Sequence, residues 1–116
     1  MVALIGDVGG TNIRLTLRRL NMQTRTSTEI KELTKIRSQE ASTICAAIEQ
    51  FLQEFQRGSD DWPSVGCVGI AGEVNNNKVD LTANAMHWGM TDGNQIAQEL
   101  GIEQFLLVND FVAAGQ

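Results

Sequence analysis

Asp7-Val8-Gly9-Gly10-Thr11-Asn12 brings a carboxylate, two glycines, a hydroxyl and an amide together at the end of a short apolar run. Paired glycines permit positive φ, so consecutive backbone N–H groups can point into one concavity with no Cβ in the way. Such a loop receives phosphate oxygens. Thr11 adds a donor, and Asp7 can hold Mg²⁺ directly or through water. The same residues also make a plain hairpin tip, for which Gly-Gly is common, and these residues alone do not choose between the two. The Walker loop and the dinucleotide fingerprint are excluded: no Gly-Lys-Ser/Thr follows, and a strand pattern rather than a helix comes next.

Asn109-Asp110 is the second candidate, directly after the apolar run Phe105–Val108. Ligands in open α/β sheets sit outside the carboxyl ends of parallel strands. If the strands from Val2 and Phe105 are parallel, Asp7 and Asp110 emerge on one edge. One carboxylate then serves the metal and phosphate side while the other accepts a proton from an attacking hydroxyl. Asp110 also suits the N-cap of a following helix, and both roles are compatible. His87, the single histidine, reads as a solvated loop residue, and Trp88 as packing rather than a sugar platform.

The elements that must hold these groups follow from periodicity. Ile13, Leu15 and Leu17 alternate with Arg14, Thr16 and Arg18, which predicts a half-buried strand to Leu20 and a hairpin with Val2–Gly6. Thr26–Ile36 alternates weakly, as an edge strand. Ser38 is the expected N-cap of a helix carrying Ile44, Ala47, Ile48, Phe51, Leu52 and Phe55 to about Arg57, with Gly58 after it. Val65–Ala71 is small or apolar throughout, as in a strand buried on both faces. Gly72–Thr82 predicts a return hairpin tipped by Asn75-Asn76-Asn77. A shorter helix starts near Thr91 and ends at Gly101, Phe105–Val108 is a strand, and Phe111–Gln116 begins another helix. Together these predict an α/β fold with a mixed sheet covered by helices.

Bulk properties narrow the partners. At 116 residues, 42% apolar and 20% charged, the chain has room for one globular domain. A net charge of −5 argues against nucleic acid and anionic membrane partners, though not against a nucleotide met locally by Mg²⁺ and amides. No apolar stretch is long enough for a membrane span. Cys45 and Cys67 read as buried thiols in a reducing compartment, and with one histidine a zinc site is not expected. No signal peptide is seen at the N-terminus, so the expected location is the cytoplasm.

Gly6-Asp7-Val8-Gly9-Gly10-Thr11-Asn12 with Arg14, and then Asn109-Asp110-Phe111, resembles the bacterial-type glucokinase family of the actin, Hsp70 and sugar-kinase superfamily. The likeness runs through essentially the whole chain in element order. The related repressor–kinase family shares Asp-x-Gly-Gly-Thr but usually continues with Lys rather than Asn. The resemblance implies a mixed five-stranded ribonuclease-H-like sheet with flanking helices. Residues 1–116 would form the N-terminal small domain of a two-domain kinase whose large domain is absent. It implies ATP and Mg²⁺ as cofactors, glucose as substrate, and transfer to the 6-hydroxyl; a homodimer of the full-length protein stays open.

By the same resemblance, Asp7 coordinates Mg²⁺ through water, and Gly9, Gly10, Thr11 and Asn12 meet the phosphates. Asn109 bonds sugar hydroxyls and Asp110 is the general base. A family Thr-Asn pair before a Trp corresponds to Thr82-Ala83-Asn84-Ala85-Met86-His87-Trp88, where the spacing is longer and Asn84 is the candidate. The family's second phosphate loop, adenine pocket and Glu-x-x-His pair do not occur in these residues, so the chain alone is expected to be inactive. The rivals are a non-catalytic sugar-sensing or actin-like module and a kinase for another hexose or an N-acyl amino sugar.

Overall fold

The computed structural model describes residues 1–81 and 88–109. β1 (Val2–Val8) and β2 (Asn12–Asn21) form the expected hairpin, and β3 (Thr26–Arg37) extends it antiparallel. A single 3₁₀ turn (Ser38–Glu40) leads toward α1 (Ile44–Leu52). β4 (Val65–Ile70) and β7 (Gln104–Asn109) add in parallel on the other side of β1. The sheet order is β3-β2-β1-β4-β7. β5 (Lys78–Asp80) and β6 (Met90–Asp92) make a separate two-stranded ribbon before α2 (Gly93–Leu100).

The core lies on one face of the large sheet. Leu4, Val8, Ile13, Leu15, Leu17, Val68, Ile70, Phe105 and Leu107 are buried there with Ile48, Phe51 and Leu52 of α1 and Ile96 and Leu100 of α2. This is the period-2 alternation read from β2, carried across its neighbours. The opposite face is different. Registry aligns Thr16, Ile5, Cys67 and Leu106 in one row across four strands. Ile5 and Leu106 are 40% and 39% exposed. The expectation that β4 is buried on both faces therefore fails among the described residues, where both helices stack on the same side. Cys67 and Cys45 are accordingly half-buried free thiols rather than fully buried ones.

Three local expectations are corrected. The N-cap of α1 is Thr43, whose hydroxyl accepts from Ala46 N at 3.0 Å, and not Ser38. Ser38 is buried, and its hydroxyl is bonded elsewhere. α1 also stops at Leu52, five residues before Arg57, where Gln53 and Phe55 turn back on Gln50 and Leu52. The segment from Gly72 does turn back at the expected tip, where Asn75 and Lys78 bridge antiparallel around Asn76 and Asn77 at positive φ, but its return strand β5 goes on to pair with β6 rather than to lengthen that hairpin.

α2 is close to expectation. Asp92 caps it by accepting from Asn94 N and Gln95 N, and Gly101 ends it at φ +67°. Asn77 was legible only as turn material, yet its carboxamide does more. Its Nδ2 donates to Phe105 O (2.7 Å) and its Oδ1 accepts from Leu107 N (2.8 Å), along the outer edge of β7. Gly93 is required there, since a Cβ would lie 2.5 Å from Asn77 Nδ2.

Candidate functional site

The loop after β1 is shaped by hydrogen bonds that use up Gly9. Its N–H donates to Asn12 O (2.9 Å), closing the tip, and its carbonyl accepts from Ser38 Oγ (2.7 Å). Ser38 N donates to Thr11 O (2.9 Å), so the turn after β3 grips the loop at two points. Neither Gly9 nor Gly10 takes positive φ, which corrects the expected reason for the pair. A Cβ on Gly9 would come 3.4 Å from Asn12 O, a tight but ordinary contact.

Among the described residues, the amides of Gly10 and Thr11 carry no intramolecular hydrogen bond. They border a cavity of about 200 Å³ lined by Gly10, Thr11, Arg37 and Gln39. Free amides and a hydroxyl beside a cavity are the donor set a phosphate needs. Thus Gly10 and Thr11 fit the expected phosphate contacts, whereas the Gly9 amide is already bonded within the loop.

Asp7 stands one residue before the end of β1, on the face away from the helices. Its carboxylate is half exposed and lies 3.9 Å from Arg14 Nη1 across the hairpin, a loose pair in water. Magnesium usually takes one or two carboxylates, substrate phosphates and several waters. A single, open carboxylate on the strand that leads into the loop fits that pattern. No cluster of three or more metal-ligating side chains exists among the described residues.

Asn109 closes β7, and its side-chain Nδ2 donates to Gly72 O just after β4. Because β1, β4 and β7 run parallel, Asp7 and Asn109 emerge on the same edge of the sheet. Asp7 pairs with Gly69 and Asn109 with Ile70, so the two differ by one residue in height and two strand spacings, about 10 Å, in breadth. Asp110, Asn84 and His87 lie outside the described residues. Trp88 behaves as a packing residue, half-buried against the core with its Nε1 donating to Ala41 O at 3.0 Å.

A second cleft separates α1 from α2, lined by residues that include Cys45, Trp88, Met90 and Glu99. Burial, then the hydrogen bond and charge of Glu99, together with the charge of Glu49, push the Cys45 thiol up to about 12. A thiol so disfavoured as thiolate is a poor nucleophile. Sequence reasoning missed Ser38 and Arg37 as loop neighbours. Their adjacency to Gly9–Thr11 arises only when β3 pairs with β2, Asn12 opposite Arg37.

Comparison with known proteins reaches the same region. The glucokinase family model matches residues 4–116. A glucokinase of Chromohalobacter salexigens is 30% identical over 111 residues, 96% of this chain and 31% of that protein. One of Synechocystis sp. is 34% identical over 119 residues, covering 97% of this chain and 32% of that protein. The chain thus spans about a third of the length of these curated relatives. Among solved structures, a glucokinase from an Antarctic psychrotroph superposes with a TM-score of 0.77 at 22% identity, over 97% of this chain and 33% of that one. A ROK family glucokinase from Streptomyces griseus, in complex with glucose and AMPPNP, gives 0.66 at 21% identity, over 99% and 35%. At these identities the superpositions show the fold, the mixed sheet of actin-like sugar kinases.

Proposed function

The chain belongs to the glucokinase family, and from that premise we propose that it is the N-terminal small domain of a cytoplasmic, ATP-dependent kinase that phosphorylates glucose at its 6-hydroxyl. The observation that carries the reading is the shared edge on which Asp7 and Asn109 end parallel strands, next to the free amides of Gly10 and Thr11.

In this reading the Gly10 and Thr11 amides and the Thr11 hydroxyl hold the nucleotide's phosphates. Asp7 holds the Mg²⁺ that accompanies the nucleotide; bound there, the ion supplies charge neutralisation on the phosphate oxygens. Asn109 orients the sugar. Asp110, next in sequence, accepts the proton of the 6-hydroxyl as that oxygen bonds to the γ-phosphorus and the bond from phosphorus to the β-phosphate oxygen breaks. ADP leaves and the sugar phosphate forms. The transition state is loose, so rate comes from positioning and charge compensation more than from covalent assistance. A second domain closing over the first completes the site by excluding water.

The test is Asp110→Asn in the full-length protein, assayed over a panel of hexoses and N-acyl amino sugars. Turnover on glucose is expected to fall by about 10²–10⁴-fold with sugar affinity retained. Near-wild-type turnover would remove Asp110 from the chemistry, and a preference for another sugar would reassign the substrate.

A further inference from the structure

The cavity beside the loop has one wall that the family reading leaves unused. Asn12 pairs with Arg37 and Arg14 with Lys35 across β2 and β3, while Asp7 pairs with Arg14 across β1 and β2. Residues directly opposite in antiparallel strands present their side chains on one face. Asp7, Asn12, Arg14, Lys35 and Arg37 therefore share the helix-free face at the loop end of the sheet. Three cations gather there against one carboxylate, in a chain whose net charge is −5. Arg14 is loosely matched to Asp7, but Arg37 and Lys35 make no ion pair among the described residues.

We propose that Arg37 is a further anion-binding residue of the phosphate site, contacting the polyphosphate of the nucleotide from the β3 side of the loop; this rests on the kinase reading above. Arg37 lines the same cavity as Gly10 and Thr11, so a cationic residue and the two residues with free amides border one space. Its neighbour Ser38 fixes that relation: two hydrogen bonds, to Gly9 O and Thr11 O, tie the end of β3 to the loop. The cation is thus carried on a segment held in register with the amides. A planar guanidinium presents paired donors to phosphate oxygens, which an ammonium does not.

The experiment uses full-length wild type, Arg37→Gln and Arg37→Lys, titrated calorimetrically with Mg·ATP, sodium tripolyphosphate and glucose, alongside steady-state kinetics. Arg37 is exposed and outside the core, so each variant is expected to keep the wild-type melting temperature. Arg37→Gln is expected to weaken Mg·ATP and tripolyphosphate about tenfold, the loss of one charge-assisted hydrogen bond. The KM for ATP should rise likewise, with kcat and glucose affinity held, and Arg37→Lys should recover part of the loss. Equal polyphosphate affinity in Arg37→Gln and wild type would overturn the proposal, leaving Arg37 a solvated edge-strand charge. An equal loss of glucose affinity would also overturn it, as a general structural effect. A wild type that binds tripolyphosphate in an Arg37-dependent way yet phosphorylates no sugar would sink the kinase reading alone.

Discussion

On one face of the sheet, Leu4, Leu15, Leu17, Val68 and Phe105 are sealed beneath α1 and α2; on the other, the row Thr16–Ile5–Cys67–Leu106 reaches the surface at Ile5 and Leu106. The strands are the same, and only alternate residues differ. The sealed face supplies the burial that fixes register, since slipping any strand by one residue would turn its apolar set outward. The other face is left free to carry charge at its loop end, where Asp7, Arg14, Lys35 and Arg37 meet. Stability and the charged groups at the loop end are thus assigned to opposite sides of single strands, whereas Asn109, in the row of Val8 and Ile70, stands on the sealed side. Substitutions on the two sides should separate accordingly.

The largest contrast is expected between Phe51 and Ile5. Phe51→Ala removes a buried ring from the sealed face and should cost about 3–5 kcal/mol. Ile5→Thr on the open face should cost less than about 1 kcal/mol. Urea denaturation of the two variants measures both, and similar losses would mean that the open face is covered in solution. Between these limits lies Ser38. Ser38→Ala leaves the Gly9 carbonyl without its donor in a partly buried setting, at about 1–2 kcal/mol by the same measurement. A smaller loss would show that the grip on the loop is dispensable.

The finest probe compares the thiols. Peptide mapping after alkylation at pH 8 should find Cys67 on the open face modified well before Cys45, whose thiol is held up to about 12. Reversal of that order would contradict the burial assigned to Cys45. The pH dependence has a definite sign. The unfolded chain loses this proton from about pH 9.0 while the folded chain keeps it to about 12. Stability should therefore fall as pH rises through that window.

Much of this arrangement was legible in the sequence where the determinants are local. The alternation of β2, the end of α2 at Gly101, and the placing of Asp7 and the Asn109-Asp110 pair after strands that would share one edge if parallel needed only period, turn residues and element order. The cap by Asp92 emerged from the structure. What was illegible depended on distant partners. Ser38 and Thr43 are equally good caps by type, and only the bond from Ser38 to Gly9, 29 residues away, leaves Thr43 to start α1. The run Val65–Ala71 has a buried composition, but composition does not say what covers each side. At the candidate site, the loop and Asn109 were readable from motif alone. Arg37 was not, because its place beside Thr11 is set by strand pairing.

Asn77 has one more consequence. Its carboxamide offers β7 the donor and acceptor that the peptide of a sixth strand would offer, and thereby terminates the sheet. An outer strand with bare amides and carbonyls is a template on which another molecule can add. Here that template is already filled by a side chain from the same molecule, held by a backbone that only the Gly93 position can accommodate at such close range. The far border, β3, instead carries exposed Glu29, Glu32, Lys35 and Arg37, charges that discourage addition of another strand. Among the described residues, both borders of the sheet thus carry groups that hinder edge-to-edge addition of another strand.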